Sequence, residues 1–186
     1  MKVAKTSHGE TSAWLTEHLF YEWTMLHHTI DKVVNAKISN GQEQLEYNTN
    51  YVAFMVHARN MYWFLTNRVE QGDYSAHDFV QNFKSPKTDL TKSVSQRVNP
   101  QVFHLDEERP ALGPDKINSA DCYVFFSWLV VEFRRFESQL PSPIRSAWVA
   151  RIGSAPPTVD VRFDAGAAPY ACTIFTSATS GTPSKR

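Results

Sequence analysis

No stretch of this chain holds enough consecutive apolar residues to cross a bilayer. A spanning helix needs about 20 of them, and the nearest run, YVFFSWLVVEF from Tyr123 to Phe133, is broken by Glu132. An excess of either charge is missing too: 19 Lys and Arg face 19 Asp and Glu, for a formal net charge of zero. Proteins that coat duplex DNA show a basic excess, because phosphate contacts supply much of their affinity. The balance argues against duplex DNA as a partner, though not against a small site that touches one phosphate. Cysteine is scarce: Cys122 and Cys172 are too few to staple a secreted domain of 186 residues, and both read as free thiols in a reducing compartment. The start, MKVAKTSHGETSAW, has lysines with no apolar segment behind them. No signal peptide is expected, and the expected location is cytoplasmic. The seven glycines are scattered, and GxSxG, Walker, GxGxxG, HExxH and CxxC patterns are all missing. No cofactor is expected from them.

What is present is apolar and helical. Hydrophobic residues make up 42% and aromatic residues 13% of the chain, and most of the Trp and Phe fall between Trp14 and Trp148. That is enough to build one core without crosslinks. Leu15, Leu19, Leu26, Ile30 and Val33 recur at helical spacing and predict a helix from Thr11 or Ser12 to about Ala36. Ser39-Asn40-Gly41-Gln42 breaks the pattern. A second helix is predicted from about Thr49 to Val69, apolar nearly all round and therefore central. Gly72 and Asp73 should end it. Ser75, with Asp78 three residues on, predicts a capped short helix through Phe83. A weaker amphipathic stretch runs from Thr88 to Val98, and Asn99-Pro100 reads as the opening of another short helix. The last long helix is predicted over Ser119–Leu140, stopped by Pro141 and Pro143, with a short one from Ile144 to Ile152. The expected fold is all-α: an up-and-down bundle of about four main helices plus short ones, over residues 11–152. Residues 1–10 form a flexible lead, and 153–186 a mostly disordered tail in which Val159, Val161 and Phe163 alternate and Thr173-Ile174-Phe175 has β character, the pattern of a weak hairpin.

A few polar residues sit among these apolar stripes. Glu22 shares a face with Leu15, Leu19, Leu26 and Val33. An unpaired buried carboxylate is costly, so it needs a cation, hydrogen-bond donors or a proton. The second helix offers His57, aligned with Phe54, Met61 and Phe64, and Arg59, aligned with Val52, Val56 and Trp63. A structural Glu–His or Glu–Arg pair and a ligand-binding or catalytic trio both fit this pattern. His18, four residues before Glu22, adds a small-molecule or metal option with His57, but paired Glu-x-x-His ligands are missing and no metal is expected. The second concentration is Arg97-Val-Asn-Pro-Gln-Val-Phe-His104-Leu-Asp-Glu-Glu-Arg109. There His104 could serve as general acid or base, and Arg97 or Arg109 could hold a phosphate. The plainer alternative is hydrogen bonding beneath the bundle. Cys122 reads as a core residue, and Arg134-Arg135 as a solvated face.

The segments YNTNYVAFMVHARNMYWFL, DYSAHDFV and NPQVFHLDEERP, followed by an aromatic-rich helix, resemble a group of uncharacterised bacterial all-helical proteins. These carry a His-Ala-Arg-Asn helix and a later Asn…His-Leu…Arg segment, and no activity comes with the resemblance. More remotely, Arg97 and His104, with six residues between them and Asn99 among these, are similar to the motif of the HEPN superfamily of helical bundles. Pro100 and the displaced asparagine depart from that pattern. The resemblance implies a metal-independent ribonuclease that works as a dimer, with His104 acting on the ribose 2′-hydroxyl and Arg97 steadying the scissile phosphate. Two expectations follow from the sequence. The first is a helical protein that acts by association, as a homodimer or with a protein partner. The second is a HEPN-like ribonuclease of a toxin or defence system, for which RNA is the partner.

Overall fold

A computed structural model of the chain describes residues 12–67, 73–98, 102, 116–152, 159–162 and 173–176. The first helical segment, helical from residue 12, passes through a π-turn at Leu15–Leu19 and continues as α1, Phe20–Val34. Then come α2 (Gly41–Thr66), α3 (Ala76–Phe79), α4 (Asp89–Val98), α5 (Ser119–Gln139) and α6 (Ser142–Ile152). The all-α expectation is met. Within 153–186, β1 (Val159–Arg162) and β2 (Thr173–Thr176) pair antiparallel, Val159 opposite Thr176 and Arg162 opposite Thr173, where the alternation suggested pairing. The expected short helix at Asn99-Pro100 and the start at Thr11 lie outside the described residues.

Helix ends follow local chemistry, in three places not as predicted. Asn40, read from the sequence as part of a break, is the N-cap of α2: its Oδ1 accepts from Glu43 N at 3.0 Å. The Glu43 carboxylate in turn accepts from Ser39 N and Oγ, both at 2.7 Å, and these bonds hold its pKa below the usual range. The helix therefore starts eight residues before Thr49. At the other end Asn67, not Gly72, terminates it. With φ at 56° Asn67 occupies the left-handed region that asparagine tolerates. Its amide donates to Phe83 O at 2.9 Å and accepts from His77 N at 3.1 Å, tying the end of α2 to α3 and to the chain beyond it. The Ser75–Asp78 capping box is as the sequence suggests. The helix it opens ends at Phe79 rather than Phe83, because Val80 turns to extended backbone. Asn118–Asp121 starts α5 with the same kind of box.

The core lies between α1, α2 and α5, with α1 and α2 the most extensively packed pair. Leu15, Leu26, Ile30, Phe54, Met55, Met61, Leu65, Phe125, Leu129 and Phe136 are fully enclosed. Trp148 on α6 is also fully buried, edge-on to Phe20 and Phe133, so the last short helix packs back as expected. Cys122 is buried with its Sγ 4.0 Å from Met55 Sδ, and burial pushes its pKa up, with Asp121 adding to the shift. Cys172 lies outside the described residues. Among the described residues no helix is long and apolar enough to cross a membrane.

Candidate functional site

The π-turn widens the first helix where it passes the C-terminal half of α2: Phe20 N–H reaches back five residues to Leu15 O. Such bulges concentrate at functional sites. Thr16 helps to hold it, its hydroxyl donating to Ser12 O at 3.0 Å. Arg151 of α6 closes over the same turn, stacking on Phe20 at 4.2 Å and donating to Thr16 O at 3.4 Å.

Beside this turn lies a pocket of about 370 Å³, lined by Trp14, His18, Leu19 and Glu22 from the first helical segment, Asn60, Met61, Trp63 and Phe64 from α2, and Asp73 and Tyr74 before α3. That size falls within the roughly 300–1,000 Å³ of small-molecule sites. Its floor is apolar, with Leu19, Met61 and Phe64 all buried, and its rim is aromatic and acidic. Trp14 lies 4.8 Å from Tyr74 between ring centroids and 6.1 Å from Phe64.

Glu22 is the polar anchor. His57 Nδ1 lies 2.8 Å from Glu22 Oε2, and Asn60 Nδ2 donates to the same oxygen at 3.3 Å. An ionised carboxylate only accepts, so the contact assigns the proton of this pair to Nδ1. The exposures run opposite to those of a catalytic histidine. The His57 side chain is 9% exposed and that of Glu22 24%, and it is Glu22, not His57, that lines the pocket. Tyr21 covers the imidazole edge-on at 5.6 Å. The histidine therefore positions the carboxylate, and the carboxylate faces whatever enters.

The sequence-predicted residues part company here. Glu22 and His57 meet, as their shared apolar faces required. Arg59 lies over the Trp63 ring, 3.7 Å from its centroid. Its stripe, Val52, Val56 and Trp63, is exposed or half-buried and forms the outer side of α2 rather than a second inner face. His18 joins Glu22 at the pocket, but among the described residues no group of three His, Cys, Asp or Glu is placed to hold a metal. Arg97 Nη1 lies 3.5 Å from Asp121 Oδ2, against the capping box that starts α5. Next to it Tyr51 donates to Ile117 O at 2.9 Å, and Tyr47 and Ser119 share a bond of 3.2 Å. His104 and Arg109 lie outside the described residues.

The sequence reads Glu132 only as a break in an apolar run and Arg135 as part of a solvated face, and the two form an ion pair. Glu132 is 8% exposed, and Arg135 grips its Oε2 through Nε at 3.0 Å and Nη2 at 2.7 Å. Arg135 also donates to Lys84 O at 2.8 Å and lies over Phe83 at 4.3 Å. Of the two arginines read as a solvated face, Arg134 is exposed, and Arg135 keeps 38% of its side chain at the surface while its guanidinium turns to Glu132. His27 packs edge-on between Trp23 and Phe126, and burial, with the charge of Arg134 second, pushes its pKa down to about 4.

No protein-family model, curated protein or solved structure matches this chain.

Proposed function

We propose that this protein is a helical small-molecule-binding domain whose ligand enters the pocket beside the π-turn and is held by Glu22. One observation carries this: the carboxylate that faces the pocket is fixed from behind by His57 at 2.8 Å and by Asn60, both donating to one oxygen. The Glu132 carboxylate, by contrast, is 8% exposed and is taken up by Arg135 of its own helix. A pre-positioned acceptor above an apolar floor is what a small, mostly apolar ligand with one donor group requires. The test is a fragment screen by protein-detected NMR, read at the indole N–H signals of Trp14 and Trp63 and repeated with Glu22→Gln. Fragments that move these signals saturably in the native chain and at least ten-fold more weakly in the variant support the reading. A screen in which no fragment moves them removes it.

Association remains a second reading on a separate observation. Val124 and Val131, two turns apart on α5, are 38% and 63% exposed, with half-buried Trp128 between them on the same side. A second copy or a protein partner would cover them. Sedimentation of the native chain beside Val131→Glu tests this: a concentration-dependent dimer lost in the variant supports it, and a monomer throughout removes it. The near-continuous apolar surface of α2 adds nothing to association, since Phe54, Met55, Met61, Tyr62, Phe64 and Leu65 are spent on the core. The HEPN-like ribonuclease reading rests on His104 and Arg109 with Arg97. RNA cleavage in EDTA by the native chain, lost in His104→Ala, is the outcome that would favour it.

A further inference from the structure

The pocket owes one wall to the register of the first helical segment. In a regular α-helix each N–H bonds the carbonyl four residues back, so Phe20 N–H would take Thr16 O. In this chain it bonds Leu15 O and Glu17 O instead, and passes over Thr16 O. The carbonyl passed over has another donor: Arg151 Nε of α6 lies 3.4 Å from it. The same guanidinium lies over the Phe20 ring at 4.2 Å. Buried Trp148, one turn earlier on α6, meets that ring edge-on. Helix α6 thus holds the π-turn both at its carbonyl and at the ring that follows it.

That register decides which side chains face inward. The turn holds one residue more than an α-turn, so every residue before it stands where an ordinary helix would place the next one, a rotation of about 100°. Leu15 therefore fills the core, fully enclosed, and Trp14 reaches the pocket beside Phe64 and Tyr74. In an uninterrupted α-helix the half-buried Thr16 would take the core position, and Leu15 the pocket wall. Two effects favour the observed register. Burying leucine is better than burying a hydroxyl, and Arg151 takes the carbonyl that this register releases. Resting on the small-molecule reading for its use, we infer that Arg151 is a positioning residue of the pocket and acts through the π-turn. By taking Thr16 O it holds the register that puts Trp14 on the ligand's side, and so couples α6 to the pocket. The coupling runs both ways, since a ligand packed on Trp14 favours the register that Arg151 favours.

The experiment needs no ligand, so its failure is separate from that of the ligand reading. Thr16→Leu offers the core a leucine in either register and leaves the choice to Arg151. In the isotope-labelled full chain, NMR scalar coupling across the hydrogen bond identifies the carbonyl that Phe20 N–H bonds. The expected result for the native chain, and for Thr16→Leu, is coupling to the Leu15 carbonyl. Adding Arg151→Met should move that coupling to the carbonyl of residue 16 and shift the Trp14 indole signal, while the Trp63 indole on α2 stays in place. Arg151 is exposed, so its replacement leaves the core intact. Arg145→Met, at another exposed position of α6, should leave the Leu15 coupling and both indoles unchanged in the same background. Coupling to the carbonyl of residue 16 in the native chain would overturn the π register itself. The same coupling in Thr16→Leu alone would show that core filling sets the register without Arg151. Coupling to Leu15 that survives Arg151→Met, or that is lost equally in Arg145→Met, would overturn the role given to Arg151.

Discussion

Glu22 and Glu132 meet the same difficulty on two different helices, α1 and α5. Each carboxylate sits on an apolar helix, where an unpaired charge is costly. Glu132 is enclosed: an arginine one turn away on its own helix takes one oxygen twice, and Lys84 O and Phe83 hold that arginine in turn. Glu22 is answered from another helix by His57 and Asn60, and its side chain keeps 24% of its surface at the pocket. Although the arginine that holds it keeps 38% of its side chain at the surface, the Glu132 carboxylate is covered, 8% exposed, and serves the fold. The other is held open, and its remaining capacity faces outward. The number of donors matters less than the direction in which the carboxylate is left.

The strongest way to break this contrast is to strand Glu132. Arg135→Met keeps an apolar stem over Phe83 but leaves a buried carboxylate without its partner. Chemical denaturation should show a loss of about 3–5 kcal/mol. Replacing both members, Glu132→Met with Arg135→Met, should recover most of that loss, because an apolar pair of similar size removes the stranded charge. A double variant as unstable as the single one would mean that packing, not charge, is at stake.

His27 sharpens the contrast from a third side, as a buried ionisable group that stays neutral. Burial holds its folded-state pKa at about 4, below the 6.5 of an unburied histidine. As pH falls through that window the unfolded chain binds a proton that the folded chain refuses, so stability falls with it. The window corresponds to a loss on the order of 3 kcal/mol between neutrality and pH 4. His27→Leu should flatten that part of the stability–pH curve. An unchanged slope would assign the acid sensitivity elsewhere.

A smaller effect is expected at the open pair. His57→Leu removes a donor from a carboxylate that water in the pocket can still reach, and unfolding should register about 1–2 kcal/mol. Ligand binding should suffer more than stability, since the carboxylate loses its fixed direction. The smallest effect concerns helix α2 alone: Asn40→Ala should cost about 1 kcal/mol in the melting curve and leave the indole signals of the pocket unmoved.

Much of this architecture was legible in the sequence. The 3.6-residue stripes placed α1, α5 and the second half of α2, and the prolines at 141 and 143 marked the end of α5. Asn40 was misread because asparagine serves turns and caps alike, and only Ser39 and Glu43 closing around it distinguish the two. Asn67 was passed over because glycine is the commoner left-handed terminator. The Glu22–His57 pair could be anticipated because each residue shared a stripe with core residues. The pocket could not. It depends on a π-turn that ordinary helical spacing conceals and on Asp73 and Tyr74 arriving from another part of the chain. Arg59 was misjudged for a related reason: on a helix apolar all round, the sequence does not show which stripe faces out.

The most direct measurement is equilibrium unfolding of Glu22→Gln beside Glu132→Gln, two identical chemical changes at the open and the closed site. The account predicts a loss of about 2 kcal/mol or more for Glu132→Gln, where a covered position gives up the charge that its arginine holds, and less than about 1 kcal/mol for Glu22→Gln. Equal losses at the two positions would contradict it, because Glu22 would then be as much a part of the fold's own bonding as Glu132.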